Sequence, residues 1–370
     1  MIKKINDFIF NKHPNFSELI TDLIEIFRKE FYLPISFEKS ENKNADEKYK
    51  EKLIKLLDLY VVRIKKSNVF SFLSPGVNDI VYKLKSAINE NDNHNFIDLL
   101  DYLYKIINLD SYSIFQKEDS KLIPGYRVRQ GKHYKCEELF HRPYSKKADT
   151  KTSAGCKFTS RFSSREALFF SDDVKTAINE TNLLKGNKII DDISIVKINY
   201  LKNTGVNVRY FDFGLNPRLF IEYPNKIGEY HSTSPAFCVW YVLWFPIILA
   251  CSFVNDDCPD VVYKYSNLFY DWAIKNYNYC DDENKVNEII MVRYISCKPN
   301  NKNLFANNYV IYTKPSDKDE EYSKLIRECY KLTIPECYDK DTLVQKIEVE
   351  LTLKDEESLD YVNVNVNVNE

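Results

Sequence analysis

Glycine is scarce in this sequence, and the loops that depend on it are missing. The chain has only 8 glycines in 370 residues, and neither G-x-G-x-x-G nor G-x-x-x-x-G-K-S/T can be assembled from them. Those two motifs cradle the phosphates of dinucleotides and of nucleoside triphosphates. The sequence therefore argues against a dinucleotide-binding fold and against P-loop chemistry, and any nucleotide bound here is held in another way.

Metal motifs and paired cysteines are missing as well. The 9 cysteines are odd in number and include no C-x-x-C, and the 5 histidines include no H-E-x-x-H. Cys136, His141 and Cys156 lack the spacing of metal ligands. The N-terminal apolar run is too short for a secretory signal. We therefore predict reduced thiols, a cytoplasmic location and no metal site.

A strong charge of one sign is also lacking. With 52 basic and 54 acidic residues the formal net charge is −2, which predicts no broad basic surface and no nucleic-acid partner. The uncharged stretch 230–254 is long enough to cross a bilayer. However, Pro246 divides it and its flanks carry no clear Lys/Arg bias. We therefore expect no membrane association.

Residues 1–115 have the pattern of a small helical domain. Apolar residues keep helical spacing over 16–31, behind a cap at Asn15 or Ser17. Further helices are predicted over 47–66, 77–89 and 93–108. The polar residues are scattered Lys, Asp and Asn that solvate helix faces. A partner-binding or regulatory role for this domain is the alternative.

Near residue 120 the pattern changes to short aromatic strands and polar turns. This change predicts an α+β chain, with a mixed α/β domain over 120–315. Strands are expected over 193–201 and 206–213, joined as a hairpin by the turn N-T-G. The extension 316–370 contains one more predicted strand at 341–353. Its final V-N repeat predicts either an edge strand or disorder.

The stretch R-F-S-S-R-E-A-L-F-F-S-D-D-V-K-T-A-I-N-E (161–180) joins a strand directly to a helix. Residues 167–170 are an apolar strand. Ser171 can cap the helix, and the two aspartates after it favour the positive end of the helix dipole. Three apolar residues of the helix have the spacing of a buried stripe, with Glu180 at its edge. The pattern predicts a carboxylate that faces a cleft.

This stretch is one of five motifs that stand in the order typical of the RES-domain family, which is named for an Arg, a Glu and a Ser. The others are Y-R-V-R at 126–129, L-F-H-R-P-Y at 139–144, P-I-I-L-A-C-S at 246–252 and R-Y-I-S at 293–296. On these motifs the chain resembles that family over residues 120–315. The resemblance implies a fold similar to that of ADP-ribosyltransferases. It also implies a buried strand over 246–254, preceded by a packed helix or strand over 237–244.

RES-domain proteins act on NAD, and the resemblance implies that this chain breaks the bond between nicotinamide and ribose by phosphorolysis or hydrolysis. It further implies a toxin or defence effector whose partner is an antitoxin or a regulatory protein. No cofactor is expected beyond NAD as the substrate. Two alternatives stay open, namely transfer of ADP-ribose to a protein and an NAD-binding or interaction module that has lost turnover.

Three residues receive catalytic roles from the resemblance. Arg127 would bind the pyrophosphate, since a guanidinium group meets phosphate bidentately. Glu180 would hold the ribose hydroxyls and favour the positive charge that develops on the ribose. Ser296 has no His-Asp relay in the sequence, so it would donate a hydrogen bond to the substrate rather than act as a nucleophile.

Substrate binding is assigned to Tyr126, to Arg161 with Arg165 as its rival, to His141, and to Phe169 against nicotinamide. Two features depart from the family pattern. The usual Pro-Gly turn before the strand is shortened to R-E, and Phe169 stands where tyrosine is usual. Phenylalanine keeps a stacking face but loses a hydroxyl, so the departure favours weakened catalysis.

Overall fold

The computed structural model describes residues 2–8, 15–36, 44–106, 125–135, 167–181, 184–185, 188–189, 191–200, 207–226, 234–254, 259–277, 288–296, 304, 306–312, 330–339 and 361–362. Its helices, numbered along the chain, are α1 (Ile2–Asp7), α2 (Phe16–Ile26), α3 (Ala45–Lys66), α4 (Ser74–Glu90), α5 (Asn93–Ile106), α6 (Val174–Glu180), α7 (Arg218–Glu222), α8 (Pro235–Cys251), α9 (Pro259–Val262) and α10 (Lys264–Tyr277). Its strands are β1 (Ile35–Ser36), β2 (Gly125–Gln130), β3 (Ala167–Ser171), β4 (Leu184–Lys185), β5 (Lys188–Ile189), β6 (Ile193–Tyr200), β7 (Asn207–Phe213), β8 (Phe253–Val254), β9 (Glu288–Ile295), β10 (Asn307–Tyr312), β11 (Tyr330–Thr333), β12 (Glu336–Tyr338) and β13 (Tyr361–Val362).

The described residues fall into two compact units. The first contains those of 1–116 and 211–276, and the second contains those of 117–148, 163–210 and 277–370. The sequence predicted a boundary between 115 and 120, with 120–315 as one domain. That division needs correction, because the helices of 211–276 pack with the N-terminal helices in one core.

α3, α4 and α5 lie close to their predicted bounds, whereas α2 ends at Ile26, five residues before the predicted end at 31, and Lys29–Phe31 form a separate short 3₁₀ helix. α2 follows one of the two caps that the sequence indicated, since Asn15 Oδ1 accepts a hydrogen bond of 2.8 Å from the backbone N–H of Glu18. α3 has acidic residues in its first turn and basic residues in its last, as the helix dipole favours. Its buried stripe includes Leu53, Leu57 and Ile64, which confirms the predicted helical period.

α8 is a single helix of 17 residues, and all of its residues from Cys238 to Cys251 are buried. The expected strand over 246–254 is therefore wrong except for the two residues of β8, which pair in parallel with β1. A segment that is apolar on every side has no period, so the pattern could not distinguish a helix from a strand. Among the helices that the structure describes, none has the length and apolarity that crossing a membrane requires.

Pro246 lies inside α8 and deprives one carbonyl oxygen of its helical partner. Proline has no N–H, so the carbonyl of Val242, four residues earlier, cannot form its usual bond. The buried hydroxyl of Tyr60, on α3, donates to that oxygen at 2.7 Å. Near the end of α8, Tyr49 of α3 donates to the carbonyl of Ala250 at 2.9 Å. Two tyrosines of α3 therefore satisfy acceptors that α8 does not satisfy itself.

The second unit is built on a sheet with the strand order β13-β11-β6-β2-β3-β10-β9-β7, in which only residues 207–210 of β7 belong to this unit, and β12 also pairs with β6. Every register that the structure gives in this sheet is antiparallel. The predicted strands over 193–201 and 206–213 are present as β6 and β7. The predicted hairpin between them is wrong, because β6 lies between β11 and β2 whereas β7 lies beside β9.

Helix α6 packs on this sheet through a small apolar cluster. The cluster joins Val174, Ala177 and Ile178 of the helix to Val128 and Ile193 of β2 and β6, which confirms the predicted stripe. The strand predicted at 341–353 lies outside the described residues. At the start of the V-N repeat, β13 pairs with Leu332 and Thr333 of β11. Helices combined with an antiparallel sheet agree with the predicted α+β class.

Replacing Tyr60 by phenylalanine tests its bond to Val242. The variant keeps the ring but leaves a buried carbonyl without that donor, so we expect the free energy of unfolding of the first unit to fall by about 1–3 kcal/mol. Pro246→Ala returns an N–H to the helix at the right position, so the double variant should recover part of the loss.

Denaturant unfolding of the wild type, the two single variants and the double variant measures this coupling. Tyr82→Phe is the matched control, since Tyr82 is 71% exposed and its replacement should leave stability nearly unchanged. Additive effects of the two core substitutions would contradict the role of Tyr60.

Deleting residues 1–115 tests the corrected boundary. The deletion removes α1 to α5, including both tyrosines, and so exposes apolar side chains of α8 to water. We expect the shortened chain to aggregate or to lose a cooperative unfolding transition. Solubility and circular dichroism on heating measure this. A soluble product with a sharp transition would favour the boundary that the sequence predicted.

Candidate active site

The polar residues between β3 and α6 have roles that the sequence only partly indicated. Ser171 is the last residue of β3 rather than the helix cap, and its Oγ donates to Oδ1 of Asn308 at 2.6 Å. The cap is Asp173, whose Oδ1 accepts from the N–H of Thr176 at 2.8 Å. The predicted cap at Ser171 is therefore wrong by two residues, because the strand extends further than its apolar run.

Glu180, at the end of α6, is held by two donors from neighbouring strands. Ser296, which directly follows β9, donates from Oγ to Glu180 Oε1 at 2.6 Å. Asn308, on β10, donates from Nδ2 to the same oxygen at 2.7 Å. The side chains of Ser296 and Asn308 are buried, whereas Glu180 is partly exposed. The fold therefore joins two residues, Glu180 and Ser296, that the sequence singled out separately.

This contact changes how Ser296 acts. A hydroxyl group has a single proton to donate, and that of Ser296 is directed at Glu180. In this arrangement Ser296 orients the carboxylate rather than donating to a substrate, which differs from the role expected of it.

Strands β2 and β3 meet at a single residue pair, Tyr126 with Ser171. By contrast, β2 pairs with β6 over the whole of β2, and β3 pairs with β10 over the whole of β3. Beyond the single pair the side chain of Arg127 bridges the two strands, since its Nη1 donates to the backbone carbonyl of Phe169 at 2.8 Å. The sheet is therefore open between two central strands, starting from the residues next to Ser171, whose side chain bonds Asn308.

Arg127 lies on the opposite face of the sheet from Tyr126, because successive side chains of a strand alternate. Tyr126 packs with Val128 against α6, so it shares the face on which Glu180 lies. The structure thus brings Glu180 and Ser296 together and places Arg127 on the other face, at the edge of the opening.

Phe169 alternates with two buried neighbours, Leu168 and Phe170, and is itself partly exposed. Its side chain shares a face with that of Ser171. Phe170 stacks on Tyr309, with ring centroids 5.0 Å apart and planes at 9°. Gly125 is required beneath it, because a Cβ there would lie 2.0 Å from the Phe170 ring. The partly exposed Phe169 is thus the aromatic of β3 that a ligand can reach.

The remaining predicted binding residues, His141 and Arg161, lie outside the described residues, as does Arg165. Within the described ranges, no group of three or more His, Cys, Asp or Glu residues is placed to hold a metal ion.

Asp172 and Asn307 form a link that the sequence analysis missed. Both carboxylate oxygens of Asp172 lie 2.9 Å from the N–H of Asn307, and the N–H of Asp172 donates to the carbonyl of Asn307 at 3.1 Å. Burial raises the pKa of Asp172 to about 7, against the opposing effects of the Asn307 N–H and of Arg293. The only signal in the sequence was the pair of aspartates after the strand.

No protein-family model, curated protein or solved structure matches this chain.

Replacing Asp172 by asparagine tests whether the carboxyl group that bonds Asn307 titrates near neutral pH. A carboxyl group in an unfolded chain has a pKa near 3.9, so the folded protein binds the proton of Asp172 more tightly. Its contribution to stability is then largest below about pH 4 and is lost as the pH rises towards about 7. Asparagine removes this dependence and keeps an oxygen for the Asn307 N–H.

We therefore expect Asp172→Asn to gain stability relative to the wild type between pH 5 and pH 8, by an amount on the order of 1 kcal/mol or more. Denaturant unfolding of both proteins across that range measures the difference. Thr176→Ser, a neutral change on α6, should show a difference that does not vary with pH. A constant difference for Asp172→Asn as well would mean that Asp172 does not titrate in this range.

Proposed function

We propose that the second unit carries an NAD-consuming site, and that the chain cleaves the bond between nicotinamide and ribose as RES-domain proteins do. The observation that carries the proposal is the hydrogen bond of 2.6 Å between Ser296 and Glu180. The resemblance named these two residues from motifs far apart in the sequence. A partly exposed carboxylate with buried donors behind it suits a group that must meet a developing positive charge.

The reaction needs electrostatic stabilisation of the positive charge that develops on the ribose. The bond between C1′ of the ribose and the ring nitrogen of nicotinamide breaks, and its electron pair leaves with the ring, which becomes neutral nicotinamide. C1′ then bonds to an oxygen of phosphate or of water, and in the reaction with water one proton is released. Glu180 lies beside the ribose hydroxyls in this proposal, where its charge favours the cation-like ribose of the transition state.

The opening between β2 and β3 supports the same proposal. An opening between central strands gives a ligand access to backbone groups and to side chains of both faces. Phe169 offers a partly exposed ring on the face of the sheet that carries Glu180, and Arg127 offers a guanidinium group at the edge of the opening. In the proposal the ring stacks on nicotinamide and Arg127 binds the pyrophosphate.

The biological role that we propose is that of a toxin or defence effector, restrained by an antitoxin or another regulatory protein. Depletion of NAD would arrest growth, so such an enzyme needs a restraining partner. This part of the proposal rests on the resemblance.

Replacing Glu180 by glutamine tests the proposal directly. Glutamine keeps the shape and removes the charge, so we expect the release of nicotinamide from NAD to slow at least tenfold and by about a hundredfold where the charge acts fully. Thermal unfolding should change little. Glu25→Gln is a control of the same type, since the Glu25 side chain is 59% exposed.

The assay incubates the purified chain with NAD, with and without phosphate, and identifies the products by mass spectrometry. ADP-ribose 1″-phosphate indicates phosphorolysis, and ADP-ribose indicates hydrolysis. A wild type that releases no nicotinamide under either condition would remove the proposed reaction. Equal rates for the wild type and Glu180→Gln would remove Glu180 from the mechanism.

A further inference from the structure

We infer that Asn308 is a positioning residue for the proposed reaction, and that it determines which oxygen of Glu180 meets the substrate. This inference rests on the proposed function. Asn308 belongs to none of the motifs that carried the resemblance, and its role follows from its contacts alone.

The amide of Asn308 has one orientation that suits its neighbours. Its Oδ1 accepts from the Oγ of Ser171 at 2.6 Å, and its Nδ2 donates to Glu180 at 2.7 Å. A rotated amide would turn its oxygen towards the carboxylate, where two acceptors repel each other. Ser171 therefore keeps the N–H donors of Asn308 directed at Glu180.

The backbone of Asn308 is held on both sides. Asn308 pairs with Ser171 on β3 and with Tyr294 on β9. The preceding residue, Asn307, is joined to Asp172 by three hydrogen bonds. The side chain of Asn308, 2% exposed, therefore projects from a backbone that both neighbouring strands hold. Its hydrogen bond to Glu180 fixes the end of α6 relative to β10.

Both donors reach the same oxygen of Glu180. Oε1 accepts from Asn308 and from Ser296, whereas Oε2 accepts no hydrogen bond from the described residues. Since the side chain is partly exposed, Oε2 is the atom presented to a ligand. Without Asn308, Ser296 alone does not prevent the carboxylate from rotating, and Oε2 loses its fixed direction.

Asn308→Asp is the sharpest test, because it keeps the shape and replaces the donor by a second carboxylate. Two carboxylates at hydrogen-bonding distance share a proton. We expect kcat for NAD cleavage at pH 7 to fall at least tenfold with a smaller change in KM, and the acid limb of the pH–rate profile to move to higher pH. A purely structural asparagine would not move that limb.

Asn308→Ala serves as the second variant if the aspartate variant fails to fold. It also removes the donor and should lower kcat with a smaller displacement of the pH–rate profile. Ser171→Ala is the matched control. It leaves the Asn308 donor in place and removes only the group that orients it, so the loss in kcat should be a fraction of that in Asn308→Ala.

A readout that needs no turnover separates this inference from the proposed reaction. With ¹³C-labelled glutamate carboxyl groups, the Glu180 resonance is the one that disappears in Glu180→Gln. We expect it to titrate at higher pH in Asn308→Asp than in the wild type. A shifted titration in a protein that does not cleave NAD would refute the proposed function and leave the contact between Asn308 and Glu180 standing.

A Glu180 resonance that titrates in Asn308→Asp as it does in the wild type would overturn the inference, whatever the activity. The inference would also be overturned if the wild type cleaves NAD and the folded Asn308 variants show the same kcat and the same pH–rate profile as the wild type. A shifted resonance with a lowered kcat and a displaced acid limb is the result that supports it.

Discussion

Buried carbonyl oxygens that a helix cannot bond internally are the constraint on which the first unit depends. Pro246 creates one in the middle of α8, and the hydroxyl of Tyr60 satisfies it. Tyr49 satisfies another at Ala250, and Tyr241 of α8 itself donates to the carbonyl of Leu215 at 2.9 Å. In each case an aromatic ring fills the apolar core while its hydroxyl donates a hydrogen bond to a backbone carbonyl. The aromatic content of the chain is therefore also a source of hydrogen-bond donors for buried backbone.

The need to pair polar groups inside the fold also shapes the second unit, where the group concerned is the carboxylate of Glu180. The carboxylate of Glu180 receives its donors from Ser296 and Asn308, and those donors are themselves fixed by the ends of β9 and β10. On the open edge of β3, the carbonyl of Phe169 accepts from the side chain of Arg127 rather than from a backbone N–H of β2. Polar side chains thus replace ladder hydrogen bonds where the sheet separates, and the proposed site lies at that place.

The sequence predicted what local pattern controls and missed what the tertiary partners decide. The helices α3 to α5, the β3–α6 connection and the buried stripe of α6 follow from period and capping. α8 could not be identified as a helix because it is apolar on every side. The hairpin of β6 and β7 was predicted from a good turn, but pairing elsewhere in the sheet overrode it. The contact of Glu180 with Ser296 agrees with the motifs that named both, whereas Asn308 belongs to no pattern.

The single pair between β2 and β3 has a mechanical consequence. Separating these strands requires the loss of one backbone bridge, at Tyr126 and Ser171, and of the Arg127 side-chain bond, whereas separating β3 from β10 requires the loss of a full ladder. Fewer backbone pairs therefore hold β3 to β2 than to β10. We therefore expect the amide hydrogens of β3 on the side of β2 to exchange with solvent sooner than those that face β10.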